Sequence, residues 1–554
     1  MSATAAIIYK IRHRSANNFR LLRAQSSFKV VFILAFALVF EAGLWILFNE
    51  SFKFMDAFGS AGMILIARLF SLFFTGMGAM LIISSVVTAY STMFGSEEIP
   101  FLMVRPFSIS QIVLYKFVEA TGFASWAFFF VIIPFVGSYA PHQKLSPTFA
   151  GWTLIFSIPF LFLLSSLGTL VVMVFVRYIP RTRIVKQIGI PLIAALAVAA
   201  WHISGKAIPP LMEQQFNISQ LIPGLKLASH PLNPGWWVSE GIMSLTRGQW
   251  LRGILFFSAL LSSALMTTML IEWLGKHTFY DAWQKTISGG RTKRKTVMLK
   301  NLNMMEKLLP HDVSAIIIKD IRTFFRDASQ WSQALVFFGM LAFYFANLRT
   351  FNYNALPDEW RSAIAFLNVF AVSAVLSSLG SRFIYPQLSL EGHGFWLLGL
   401  SPATKAKILT AKFVLAISSM TTISITLIWL SGSMLATSPS IRMASIAIIT
   451  CIAFAVCGVS TGLGALFLDL EQRNPAAIVS GFGGTLNLVV CLSFMLLSIM
   501  PFGIIFHLGS TNQIMPGQVV TGLRIASVWL VVLTALTTVI PMRLGLRSME
   551  NRDY

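Results

Sequence analysis

The feature that most constrains this chain is a series of apolar runs, each long enough to cross a bilayer. A hydrocarbon core about 30 Å thick needs about 20 apolar residues in an α-helix. Such runs centre on 30–48, 62–93, 118–138, 151–176, 187–203 and 252–274, then on 332–348, 362–385, 413–436, 443–468, 476–506 and 519–541. Six lie on each side of a polar segment near 276–326. Lipid offers no partner to backbone N–H and C=O groups, so spans of this kind are helices. Composition agrees, since 56% of the 554 residues are hydrophobic and 11% are charged, against about 25% charged in an average soluble domain. That excludes a soluble globular fold, a disordered chain and a coiled coil. The predicted fold class is an all-α polytopic membrane protein with about 12 transmembrane helices in two parallel six-helix repeats. The 48 Phe and 14 Trp are expected on lipid-facing and interfacial surfaces.

The net charge of +21 resolves into topology, because Lys and Arg collect in cytoplasmic loops. With the N-terminus inside, 31 of the 42 Lys and Arg residues fall on the inner side, nine fall outside, and Arg68 and Arg524 lie within spans. Eleven of the inner residues lie between Lys276 and Arg326. Both termini are therefore predicted to be cytoplasmic, with the first run retained as a span rather than removed as a signal peptide. The basic face suits anionic lipid and needs no nucleic acid.

The two halves repeat. Leu102-Met-Val-Arg-Pro106 aligns with Leu398-Gly-Leu-Ser-Pro402, and Lys116-Phe-Val118 with Lys412-Phe-Val414, at an offset of 296. Upstream, Ser84-Ser85 and Glu98 match Ser377-Ser378 and Glu391 at an offset of 293, so one three-residue insertion separates the blocks. Matching Pro, Lys and Glu in a polar loop point to duplication rather than shared hydrophobicity. An even number of spans inserts both copies in the same sense, with a pathway between halves as the geometric consequence. The expected organisation is a first half at 1–275, a basic linker at 276–310 and a second half at 311–554.

No G-x-x-x-x-G-K-[ST] loop occurs, nor a nucleophile elbow, an HExxH helix or paired carboxylates in the spans. Cys451, Cys457 and Cys491 lie in apolar runs and read as core thiols, and the eight His residues have no metal-ligand spacing. Two inner loops stand out instead. One runs from Glu97-Glu98 through Phe101-Leu102 and Pro106 to Lys116, the other from Glu391 through Phe395-Trp396 and Pro402 to Lys412. Each places carboxylate first, then a short apolar stretch, Pro at a helix start, and Lys leading into the next span. A short helix there would offer Phe101 and Leu102, or Phe395 and Trp396, to a partner groove. An interfacial turn with aromatic anchors is the blander alternative, which occurrence in both halves disfavours.

An amphipathic stretch precedes each half. Val313, Ile316, Ile317, Ile321 and Phe324 follow helical spacing, with Lys319, Asp320 and Arg322 facing elsewhere. Ile8, Ile11, Phe19 and Leu22 do the same beside Arg12, Arg20 and Arg23. Both are expected in the inner interface.

Lys319-Asp-Ile-Arg322 with Arg326-Asp327 and Gln330-Trp-Ser-Gln333 resembles the ABC-2 type permeases of ATP-binding-cassette exporters. The Glu–Leu–Pro–Lys loops are similar to their coupling helix between the second and third spans. Pro223-Gly224 to Pro234-Gly-Trp-Trp237 resembles their short outer helices before the sixth span, with Met515-Pro-Gly517 as a weaker counterpart. This chain departs from the six-span pattern by fusing two halves. The resemblance implies a permease that is not itself an enzyme and carries no cofactor or metal. ATP and Mg would reside on separate cassette ATPase subunits, two in number. Glu97, Glu98, Phe101, Leu102, Pro106, Lys116, Glu391, Phe395, Trp396, Pro402 and Lys412 would form the docking loops. The location implied is the plasma (inner) membrane of a bacterium, and the exported substrate is left open.

Glu41 and Arg68 are candidate charges inside the membrane, expected to pair between the first two spans. Glu119 and Glu272 fall near inner ends and can snorkel. Gly458, Gly462 and Gly464, with Gly481, Gly483 and Gly484, suit close helix packing. An ion-driven secondary transporter shares the twelve-span plan, but the deep acidic residues it needs are sparse. A membrane-embedded lipid or glycan transferase would want a carboxylate-rich outer loop, and 204–251 has only Glu213 and Glu240.

Overall fold

The structure is a computed structural model that describes residues 27–56, 60–96, 98–178, 230–288, 310–326, 358–435, 437–471, 478–479, 481–510 and 513–552. These residues are helical with no strand among them, and ten of their helices are long and apolar enough to cross a membrane. The chain is an all-α polytopic membrane protein. The expected spans at 187–203 and 332–348, and the amphipathic stretch around Ile8–Leu22, lie outside the described residues. The helices form two compact units.

The first unit holds α1 (Ser27–Asp56), α2 (Ser60–Met93), α3 (Glu98–Val104), α4 (Ile109–His142), α5 (Thr148–Tyr178), α6 (Pro234–Thr246) and α7 (Trp250–Ser288). Residues 276–288, which composition assigns to the linker, continue α7. No helix breaker intervenes before Gly289-Gly290, and Phe279 and Ala282 are buried. α5 packs along α7, and α2 against α4 and α5. Polar side chains bind these helices at depth, with Ser85 Oγ 3.1 Å from Ser165 Oγ and Ser166 Oγ 2.6 Å from Thr267 Oγ1. Such bonds and close packing hold membrane helices together where no hydrophobic drive acts between them.

The aromatic expectation needs correction, because much of the Phe content is interior. Phe70, Phe74, Phe128, Phe135, Tyr139 and Phe149 are buried in one cluster, and Phe73 stacks on Phe135 with ring centroids 3.8 Å apart. Flat, polarised rings fill the gaps between helices with directional contacts that aliphatic chains lack. The outer helix expected before the sixth span is α6. Asn233 caps it by accepting from the Gly235 N–H (2.9 Å), and Pro234 opens it. Gly248, with φ of +79°, turns the chain into α7, and Glu240 then pairs with Arg252 at 2.8 Å.

The second unit holds α8 (His311–Arg326), α9 (Asp358–Leu379), α10 (Phe395–Gly399), α11 (Lys405–Met434), α12 (Pro439–Leu466), α13 (Phe482–Ser510) and α14 (Pro516–Glu550). Between α9 and α10 run a π-helical turn, Gly380–Ile384, and two 3-10 turns, Tyr385–Gln387 and Ser389–Gly394. α12 packs along α14 with backbones almost touching. A Cβ on Gly462 would fall inside the Pro541 carbonyl group, and one on Gly458 would lie 2.7 Å from Thr538 Cα. Met515-Pro-Gly517 makes no separate outer helix. Gln518 Oε1 accepts from the Met515 N–H at 3.0 Å and Pro516 occupies the first turn, so these residues begin α14.

Candidate functional site

The two loops expected on the inner side share one construction. Ser108 caps α4, accepting from the Gln111 N–H at 3.3 Å while Gln111 Oε1 accepts from the Ser108 N–H at 3.1 Å. Thr404 caps α11 by the first of these bonds alone, accepting from the Lys407 N–H at 3.3 Å, since a lysine side chain offers no acceptor in return. Ser108 and Thr404 are themselves 296 apart, although the S-x-x-Q signature of a capping box marks only the first, because Lys407 stands where Gln111 does. Each cap fixes the register of its helix. Lys116 and Lys412 both follow eight residues later, roughly 12 Å along the axis at 1.5 Å per residue.

Both lysines are buried, with side chains 2% and 1% exposed. Lys116 Nζ lies 2.6 Å from Glu98 Oε2 and 2.8 Å from Glu119 Oε2, and it donates to Ser96 Oγ at 3.3 Å. Three donors on one ammonium thus meet three acceptors. Lys412 Nζ lies 2.5 Å from Glu391 Oε1 and 3.0 Å from Asp320 Oδ2. Lys319 reaches the same Glu391 oxygen at 2.5 Å, and Gln387 Nε2 donates to Asp320 at 3.3 Å. Each loop carboxylate therefore reaches back to a lysine inside the next span.

The expected docking residues divide by exposure. Burial and ion pairing turn Lys116 and Lys412 inward. Leu102 and Phe395, 6% and 3% exposed, are also interior. Leu102 joins Ile99, Ile112, Val113 and Phe279, while Phe395 joins Leu409, Leu468 and Met549. Phe101 and Trp396 stand out instead, 57% and 54% exposed. Val104, Leu397 and Leu400 extend the two exposed ridges, with Pro106 and Pro402 also exposed. Arg105 lies over the Phe101 ring at 4.8 Å. Glu98 and Glu391 stay at the loop bases, and Glu97 lies outside the described residues.

Asp320 does not face away from the apolar side of its helix, and Glu119 does not snorkel free. Each supplies its cluster with a second carboxylate. α8 buries Val313, Ile316 and Ile317 against Ile408 and Ala411 of α11, so its apolar face meets protein. The three-residue insertion falls at Gly392-His393-Gly394, where Gly392 takes φ of +53° and lets the chain turn before α10.

Glu41 and Arg68 form no ion pair among the described residues. Counted from the helix ends at Asp56 and Ser60, Glu41 lies seven residues farther along its helix than Arg68 does, roughly 10 Å at 1.5 Å per residue. Cys457 and Cys491 are buried and Cys451 is half-buried. No group of His, Cys, Asp and Glu among the described residues could hold a metal ion.

The family model that matches this chain is described as "Putative ATP-binding cassette" and covers residues 22–554. The chain belongs to this ATP-binding-cassette family. No curated protein and no solved structure matches it. In this ATP-binding-cassette relative the matched stretch contains all the described membrane helices and both inner loops. It contains no G-x-x-x-x-G-K-[ST] sequence, the loop whose backbone cradles nucleotide phosphates.

Proposed function

We propose that this chain is the transmembrane permease of an ATP-binding-cassette exporter and docks two separate ATPase subunits on its inner loops. The observation that carries the reading is the repeated loop, an exposed apolar ridge on a base tied to the span that follows it. Phe101 and Val104 form one ridge, and Trp396, Leu397 and Leu400 the other. Aromatic side chains on a short helix fit a partner's groove and supply the anchors on which such interfaces depend. The membrane architecture, the family match and the lack of a phosphate loop support the same division of labour. This chain provides the pathway, and ATP and Mg belong to the partners. It holds no cofactor and catalyses no reaction of its own. The excess of Lys and Arg in the inner loops supports cytoplasmic termini in a bacterial plasma membrane with anionic lipid.

The test is purification of the chain from its own host's membranes, followed by assay for bound ATP hydrolysis. A cassette ATPase should co-purify, and Phe101→Asp with Trp396→Asp should abolish its recovery without lowering thermal stability. Absence of any ATPase from the wild-type preparation, or unchanged recovery with the double variant, would defeat the proposal.

A further inference from the structure

A buried ion cluster is a weak source of stability, because the desolvation of its charges offsets their attraction. An apolar contact of similar volume would hold these loops at least as well. The chain nevertheless places a buried lysine eight residues inside the span that follows each loop and brings back to it that loop's carboxylate. The other partners differ. The first cluster adds Glu119 from the lysine's own helix, and the second adds Asp320 and Lys319 from α8. The loops differ too, by the Gly392–Gly394 insertion. What persists through both changes is the Lys–Glu bond between loop and span.

Such a bond has a property that greasy contact lacks. Apolar surfaces slide past one another at little cost, whereas a charge pair inside low dielectric is lost steeply with separation. We propose that Lys116 and Lys412 are positioning residues, each a strut that makes its loop and the span that follows it move as one body. Displacement of the loop is then delivered to the span instead of being absorbed by the loop. This rests on the reading of the loops as ATPase docking sites, but the strut itself is a property of the isolated chain.

The experiment uses variants that remove the strut and leave no charge of the cluster without an opposite partner. In the first half Lys116→Met is combined with Glu98→Gln and Glu119→Gln. In the second, Lys412→Met is combined with Asp320→Asn, which leaves Lys319 paired with Glu391. Amide hydrogen exchange is followed along the full-length purified chain, alone and with its cassette partners in ATP plus vanadate. In the chain alone, exchange at 98–104 and 395–399 should accelerate about tenfold in the respective variant, with the interiors of α4 and α11 unchanged. With partners bound, ATPase recovery should stay at the wild-type level, while the nucleotide-driven change at the outer ends of α4 and α11 falls at least about fivefold. Unchanged loop exchange, acceleration spread evenly over the chain, or a full nucleotide response in the variants would each overturn the strut. If no ATPase binds even the wild type, the docking reading fails, and exchange at the two loops still decides the strut by itself.

Discussion

Lys412 is bonded to Glu391 across 21 residues of chain, and Lys116 to Glu98 across 18. The same contact thus survives a three-residue change in loop length. Its energetics can be separated from its geometry. Lys412→Met leaves two largely buried carboxylates, Asp320 and Glu391, sharing the Lys319 ammonium, with the neutral Gln387 amide on Asp320. Breaking a buried pair from one side typically costs about 3–5 kcal/mol. Thermal unfolding in detergent should show that loss, and addition of Asp320→Asn should recover most of it by restoring one lysine to one carboxylate.

The glycines separate into two kinds. A Cβ on Gly462 would collide with the Pro541 backbone, which cannot yield as a flexible side-chain end can. Gly462→Ala should therefore force α12 and α14 apart and lower the unfolding temperature sharply. Gly122, inside α4, has nothing within 4 Å of its Cβ position. There Ala removes backbone freedom from the unfolded chain without a clash, and Gly122→Ala should raise stability by about 0.5–1 kcal/mol. Melting curves of the two single variants test the contrast.

Helix positions were legible because span length and lipid exposure both write themselves into apolar runs. The ten spans described coincide with ten of the twelve runs. The two loops were legible because Glu, Pro and Lys recur in both in the same order. The direction of side chains was not, since a lysine between apolar residues reads the same whether it snorkels to water or closes on a carboxylate. Lys116 and Asp320 gain their partners from residues 18 and 92 positions away, a relation that periodicity cannot carry. Phe101 and Leu102 show the same limit. They are adjacent in sequence, and the helix turns one outward and the other into the core.

Topology has a direct chemical test. Ser146 is exposed between α4 and α5 on the side expected to face out, and Ala406 is exposed at the start of α11 on the side expected to face in. With Cys457 and Cys491 buried and the half-buried Cys451 replaced by Ser, a cysteine at Ser146 should react with a membrane-impermeant maleimide in intact cells. One at Ala406 should react only after permeabilisation. The reverse pattern would place the basic loops outside, against the rule that sets them in the cytoplasm.

The neighbouring aromatic and aliphatic residues of each loop should separate stability from docking. Leu102→Ala and Phe395→Ala remove side chains from packed clusters. Each should cost about 2–5 kcal/mol, the usual range for large-to-small changes in a core. Phe101→Ala and Trp396→Ala take away side chains that are more than half exposed, so little stability is at stake. If these two anchor an ATPase, each truncation should weaken its retention about tenfold or more, as interface hot spots do. Quantifying bound ATPase per chain beside the unfolding temperature gives both values from one preparation. Loss of ATPase only when the chain is also destabilised would move the docking surface away from the exposed ridges, because an anchor that does its work by contact should fail without unfolding anything.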